Sequence, residues 1–407
     1  MNNQEMFIKE NAPCYIYNNE QIISQCRKLK EALPAFNFLY SIKTNPFAPV
    51  IQSIAVESFG ADAASSQEVE ISVKNGMAPQ DIFFSSPGKT ADDISQCLEK
   101  CIIIADSFSE IKIIDDEAKK RNKIVKIGIR INPDFSMDSD ARTPSKFGID
   151  MEQSDELEIL LQSCDNIVVS GIHIHIKSQV LDVKKLGDYY HKCFHAAKRL
   201  NEFENIKIEF INFGSGIGAL YNIEKEVPVN LDELSDMVNS IVSVNAETMR
   251  AKLYIETGRF VVCNAGTYYT EIVDIKQSRG KKYLIVKNGM NGFMRPAIAS
   301  LLQKAAGDSE FSGQEPLFTS YDAFELKVMN NSPQKEKVTV VGNLCTALDV
   351  IKEDVELNKA AIGDIISVSN AGSYAYSLSP LIFSSHPLPS QFLLCECGEM
   401  KKEIAAD

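Results

Sequence analysis

From about residue 36 to residue 255, short apolar runs alternate with longer amphipathic stretches. The runs are Phe36–Ile42, Ile82–Ser85, Ile102–Ala105, Ile124–Ile131, Ile167–Ile176, Ile208–Phe213 and Lys252–Ile255. Their length and their β-branched and aromatic content predict buried strands, and the stretches between most of them, such as Gln67–Asn75 and Ala91–Glu99, have helical character. About eight such units over roughly 220 residues fit a parallel (β/α)8 barrel, although an open doubly wound sheet has the same local grammar. One strand lacks a clear run and is expected near Val56–Ala63. In either architecture, functional groups gather at the carboxyl ends of the strands.

After Arg259 the pattern changes. Tyr268–Ile275, Lys282–Val286, Phe324–Val328, Lys337–Val341 and Asp364–Val368 follow one another without long helices, which predicts a separate antiparallel β domain. The early run Pro13–Asn18 lies too far ahead of the barrel to join it and is assigned to the β domain. The expected division is therefore a barrel over residues 25–258 and a β domain built from 1–24 and 259–407.

A length of 407 residues suits two domains, and 44% apolar content is ample for two cores. The net charge of -13 gives no footprint for nucleic acid or an anionic membrane. Met1–Asn11 is polar and no run approaches a membrane span, so a cytoplasmic protein is expected. The ten cysteines are scattered through apolar stretches, as packed thiols rather than a disulfide framework. Cys395 and Cys397 lack a second ligand pair at zinc spacing, and no metal is expected.

Candidate chemistry begins at Lys43, at the end of the run Asn37-Phe38-Leu39-Tyr40-Ser41-Ile42 and before an Asn-Pro breaker. A lysine desolvated at a strand end is a usable nucleophile toward an aldehyde; the alternative is a snorkelling lysine. Gly214-Ser215-Gly216-Ile217-Gly218 follows another strand and lets backbone N–H groups approach an anion, with a following helix N-terminus adding its dipole. A dinucleotide site would want this loop near the start of its domain. In Gly171-Ile172-His173-Ile174-His175-Ile176-Lys177-Ser178, strand alternation puts His173, His175 and Lys177 on one face. That face suits a ring lying over a planar cofactor, a packed core histidine or a paired-imidazole metal site. Glu256, ending another strand, suits either a protonated ring nitrogen or a surface ion pair, and Arg259 suits an anion.

A lysine nucleophile, an anion loop, a ring-flanking histidine and a strand-end carboxylate are what pyridoxal 5'-phosphate requires. Over roughly Pro13 to Leu394, these motifs resemble the fold-type III decarboxylases, the group of diaminopimelate, ornithine and arginine decarboxylases. The resemblance implies an alanine-racemase-like TIM barrel with a C-terminal β domain, and PLP as cofactor. It implies that Lys43 holds the cofactor's aldehyde, that His175 stacks on its ring, and that Glu256 pairs with the ring nitrogen. Ser178, Gly214, Gly216 and Gly218 would surround the phosphate, with Asp62 near the cofactor, together with Ala64, Ser65 and Glu68 of the same motif. Arg259 would face phosphate or substrate carboxylate, and Tyr374 of Gly372-Ser373-Tyr374 would reach the same region. Cys345 of Gly342-Asn343-Leu344-Cys345 matches a cysteine that crosses a homodimer interface to protonate the product. The implied reaction is removal of the α-carboxylate of an amino-acid substrate; racemisation and a catalytically silent PLP-binding regulator are the alternatives.

The substrate end departs from a diaminopimelate decarboxylase. Thr346 stands where an acidic residue follows the cysteine, Ala299 where a tyrosine follows Arg295-Pro296-Ala297, Thr257 for a usual proline, Lys177 for a usual glycine and His386 for a common arginine. Losing that acid removes a charge-assisted contact of about 1.5–3 kcal/mol. The substrate expected is one with a distal carboxylate or amide served by Arg295, Lys177 or Arg259, as in branches acting on siderophore precursors or carrier-protein-linked glutamyl groups. Diaminopimelate itself is the alternative.

Overall fold

Eight parallel strands close into a barrel: β1 (Phe36–Ser41), β2 (Gly60–Ala63), β3 (Ile82–Phe84), β4 (Ile102–Ala105), β5 (Val125–Asn132), β6 (Ile167–His173), β7 (Ile206–Asn212) and β8 (Lys252–Thr257). Pairing of β4 with β5 and of β8 with β1 leaves no free edge, which decides for a closed barrel over an open sheet. The structure is a computed structural model and describes residues 3–137, 144–222, 224–245, 250–306, 317 and 322–402.

The barrel is filled by a layer of large side chains, Leu39, Phe83, Ile104, Phe210 and Tyr254. Phe210 meets Phe83 edge-on with ring centroids 5.1 Å apart. A Cβ on Gly171 of β6 would lie 2.5 Å from the Phe210 ring, so that glycine is what lets the ring into the barrel axis. Burial of one such aromatic contributes about 1.5–3 kcal/mol. The missing strand is β2, whose four residues, Gly-Ala-Asp-Ala, carry no large apolar group. Its position was expected; its pattern was invisible because the layer above it supplies the bulk.

The loops at the carboxyl ends of the strands are held by helix caps. Ser65 accepts from the Glu68 N–H, Thr90 and Asp93 form a capping box, and Ser107 and Asp182 cap the helices Phe108–Lys120 and Val183–Leu200. Each cap fixes the chain where it leaves a strand end for a helix. That is where the candidate residues lie.

The chain divides into two units, one comprising 23–218 and 228–258, the other 1–22, 219–227 and 259–407. The excursion 219–227 into the second unit has no hydrophobic signature. In that unit, Cys14–Asn18 pairs antiparallel with Gly266–Ser278 and parallel with Ser390–Leu394, and Lys281–Val286 pairs parallel with Lys335–Gly342. The sheet is thus mixed rather than purely antiparallel. A 13-residue helix, Met294–Ala306, also interrupts the β run that had been expected to lack one. Among the described residues no helix is long and apolar enough to cross a membrane.

Candidate active site

The barrel register brings the carboxyl-end residues into one ring. Asp62, fully buried at the end of β2, lies opposite Ser41 of β1. Its Oδ2 accepts from Ser41 Oγ at 2.9 Å and from Lys43 Nζ at 3.4 Å, and its Oδ1 accepts from Ser85 Oγ at 2.7 Å. Three donors on one carboxylate offset the cost of burying it. Lys43 sits in the single turn Ile42–Thr44 just beyond β1, but its side chain is 44% exposed. The desolvated lysine expected from the sequence is corrected: the strand end opens onto the barrel mouth, and the ammonium is oriented by Asp62 rather than stripped of water.

On β8, which pairs with β1 on one side and β7 on the other, Glu256 lies buried. Its Oε1 accepts from Asn212 Nδ2 at 2.9 Å and lies 3.1 Å from His173 Nε2. Alignment with the imidazole is poor, and neither ring nitrogen of the buried His173 makes a hydrogen bond among the described residues. Burial pushes the Glu256 carboxyl up, but His173, His175 and the Lys43 ammonium outweigh it and hold the group well below the usual carboxylate range. Glu256 is therefore ionised at neutral pH.

β6 ends at His173, so the strand alternation that was to place His173, His175 and Lys177 on one face stops short and is corrected. Residues 174–182 form a loop bridged to the glycine segment at Val180 and Ile217. Ser178 is buried in that loop. His175 Nδ1 accepts the Ser215 N–H at 3.2 Å. Burial lowers its pKa to about 4, against Glu256 and with Arg130, His173 and Lys43 assisting, so the imidazole is neutral at neutral pH.

Gly214 has φ +63°, and a Cβ there would stand 2.6 Å from the His175 Cβ, so only glycine fits the turn. The N–H groups of Gly214 and Gly218 are spent on Asn212 Oδ1 and the Val180 carbonyl, which rigidifies the loop and leaves the Gly216 N–H without a partner among the described residues. The helix expected directly after this loop is not there, since the next one begins at Leu231. No helix dipole is therefore added at the loop. Beside Asp62, the Glu68 carboxyl accepts the Ala64 N–H at 2.7 Å, and burial raises its pKa to about 7.

Sequence reasoning missed Ser85, Asn212 and Arg130, and gave His173 no role toward Glu256. Arg130 Nη1 lies 3.7 Å from Asp106 Oδ1, with its guanidinium 4.3 Å from the Phe147 ring centroid. All four stand at or next to strand carboxyl ends, so scanning each strand end for polar residues would have found them.

In the other unit, Arg259, Arg295 and Tyr374 come together. The Arg259 guanidinium lies 4.7 Å from the Tyr374 ring centroid, and Arg295 Nη1 donates to the Ser373 carbonyl at 2.9 Å. Cys345 and Thr346 lie in a separate turn of that unit. There the Asp349 carboxylate accepts the N–H groups of Met290 at 2.6 Å and Leu344 at 2.9 Å, and Cys345 is exposed.

The barrel site fits pyridoxal 5'-phosphate. It holds an accessible primary amine, an ionised buried carboxylate, a neutral imidazole, an uncommitted glycine N–H, and buried polar atoms without partners on His173, Thr44 and Thr257. The model of the pyridoxal-dependent decarboxylase pyridoxal-binding domain matches residues 19–263. The chain is 29% identical over 392 residues to the L-glutamyl-[BtrI acyl-carrier protein] decarboxylase of Niallia circulans, covering 94% of this chain and 88% of that one. It is 26% identical to the diaminopimelate decarboxylase of Aquifex aeolicus, covering 96% and 88%. The crystal structure of diaminopimelate decarboxylase from Methanocaldococcus jannaschii with L-lysine superposes with a TM-score of 0.84 at 25% identity, covering 98% and 91%.

Proposed function

This chain belongs to the pyridoxal-dependent decarboxylases, and we propose that it removes the α-carboxylate of an amino-acid group whose far end is a carboxylate, an amide or a conjugate, as in a siderophore precursor or a carrier-linked glutamyl group. Thr346 carries the proposal: where the diaminopimelate branch is expected to place an acid against the distal ammonium, this chain offers a hydroxyl. The carrier-protein substrate in the name of the Niallia relative supports the same direction.

When bound, pyridoxal 5'-phosphate supplies a conjugated ring that accepts the electron pair of the breaking carbon–carbon bond. Lys43 would hold the cofactor through its primary amine. Asp62 orients that amine and is itself fixed by Ser41 and Ser85. The ionised Glu256 would pair with the cofactor's ring nitrogen and keep it protonated, and the neutral His175 would flank the ring. Ser178 and the loop Gly214–Gly216–Gly218 take the phosphate, with Arg259 and Tyr374 serving phosphate or substrate. Arg295 and Thr346 face the substrate. Cys345, from a second copy of the chain, returns a proton to the α-carbon.

That last role requires a homodimer, working in the cytoplasm. Leu348, Ile382, Phe383 and Leu388 are exposed apolar side chains near Cys345 in sequence or linked to its turn through Asp349 and His386, the kind of surface a second copy would cover. Sedimentation as a monomer at micromolar concentration would remove the second copy from the mechanism. Turnover of meso-diaminopimelate, ornithine, arginine, a citryl-diaminopropionate conjugate and a carrier-linked glutamyl group tests the substrate. A conjugate or the glutamyl thioester is expected to exceed meso-diaminopimelate by about tenfold or more in kcat/KM, the size of one lost charge-assisted contact. Preference for meso-diaminopimelate would return the chain to lysine formation.

A further inference from the structure

The segment that feeds β4 carries two cysteines four residues apart. Cys97 is the last residue of the helix Ala91–Cys97, and Cys101 stands directly before β4. The turn between them is held by the Lys100 N–H, which donates to the Cys97 carbonyl at 2.8 Å, and the Cys101 Sγ lies 3.5 Å from the same carbonyl. Both side chains therefore lie on one side of the turn, where the Cys101 S–H donates to the Cys97 sulfur. Leu98 keeps helical backbone angles, φ -52° and ψ -29°. Four residues of near-helical chain put the two Cα atoms about 6 Å apart, inside the range that a disulfide spans. Cys97 is fully buried and Cys101 is partly exposed.

That contact sets this pair apart from other buried cysteines of the chain. Burial pushes the Cys14 and Cys26 thiols up to about 12, the condition of inert packed sulfurs. Cys97 moves the other way, because the hydrogen bond from Cys101 outweighs burial and the Lys100 ammonium assists it. Cys101, as the donor, holds its own proton more tightly. A favoured thiolate touching a second sulfur is the arrangement from which thiol–disulfide exchange proceeds. The pair lies away from the candidate active site, since Cys101 stands at the amino end of β4 and the site is built at the carboxyl ends of the strands.

We propose that Cys97 and Cys101 are a redox-active dithiol that closes to an intramolecular disulfide by exchange with a small-molecule disulfide. One cysteine thiolate attacks the reagent and expels a first thiolate. The other then attacks the mixed disulfide and expels the second, which leaves the Cys97–Cys101 S–S bond. The two cysteines give up two electrons and two protons, and the reagent leaves as two thiols. Closure ties the end of the helix Ala91–Cys97 covalently to the start of β4. Nothing in this step draws on the cofactor or the substrate, so a failed substrate panel leaves it standing.

The test uses the full-length holoenzyme incubated with glutathione disulfide, quenched in acid, alkylated in denaturant and digested with trypsin without reduction. Cleavage after Lys89, Lys100 and Lys112 separates the two cysteines, so the bond joins peptide 90–100 to peptide 101–112, and dithiothreitol parts them. Mass spectrometry is expected to find this linked pair forming about tenfold or more faster than any other linkage among the ten cysteines, because its sulfurs already touch. Phenylarsine oxide, which bridges close thiols, reads the reduced state: it should protect both peptides from alkylation in the parent and peptide 90–100 no longer in Cys101→Ser. Two fully alkylated peptides after both treatments would mean separate packed thiols, and that result overturns the proposal. So does glutathione held on either peptide without linkage, or linkage of either peptide to another cysteine at a comparable rate.

Discussion

Lys43→Ala is expected to abolish the visible absorbance of lysine-bound cofactor, to leave nothing for borohydride to fix to the chain, and to cut turnover by roughly 1,000-fold or more, since the covalent route is removed. The geometry gives the reason. Lys43 projects from a single turn at the end of β1, open to solvent, and donates to an Asp62 carboxylate that two serines hold in place. Asp62 therefore steers the amine without sealing it. Lys43→Arg separates charge from nucleophilicity: it restores a cation beside Asp62 but should show the same losses. Borohydride fixation persisting in Lys43→Ala would mean that another lysine carries the aldehyde. Lys89 is the instructive competitor. Burial pushes its pKa down, as it does that of Lys352, and its Nζ is enclosed 2.8 Å from Glu110 Oε2 and 2.5 Å from the Ser86 carbonyl. By the criterion of desolvation it outranks Lys43. It is locked in an ion pair that ties the loop after β3 to the helix Phe108–Lys120, and no aldehyde can reach it.

That contrast marks how far the sequence could be read. The strand runs were legible because each carries β-branched or aromatic residues in a buried layer, and the bounds of β4 agree residue for residue. β2 was not, because Gly60–Ala63 contributes backbone and Asp62 rather than bulk. Val350–Asn358, with its alternating charges, and Ser390–Leu394 gave too little apolar signal to stand out and are fixed by their partners in the mixed sheet. The same division runs through the site. Lys43, Glu256 and the glycine loop stand out because their residue types are anomalous at a strand end. Asn212, Ser85 and Arg130 do not, because an Asn, Ser or Arg near the end of a strand is unremarkable until the barrel closes and sets β7 beside β8 and β3 beside β2. The excursion 219–227 lies furthest from view, because it follows no periodicity. Local pattern reports the elements, whereas the partners of a buried charge come from register, which only closure determines.

Glu256→Gln should lower turnover by roughly 100- to 1,000-fold, the loss typical of removing one preorganised electrostatic partner, while cofactor affinity changes far less. The substitution is isosteric. The amide oxygen can still accept from Asn212 Nδ2, so the β7–β8 contact survives and the barrel should keep its fold. What disappears is a negative charge that the site maintains against burial, with His173, His175 and the Lys43 ammonium together holding the carboxyl ionised. In the proposed reading that charge would meet a protonated ring nitrogen of the cofactor. Without the charge, a ring nitrogen paired with this residue would hold its proton less well, so kcat is expected to fall. In the proposed arrangement Gly216, Ser178 and Lys43, rather than Glu256, would hold the phosphate and aldehyde ends, so cofactor binding is expected to be largely spared. Measuring kcat and cofactor release on the same preparation separates the two effects. Near-parental kcat in Glu256→Gln would mean that the carboxylate serves the fold through Asn212 and His173 and not the chemistry.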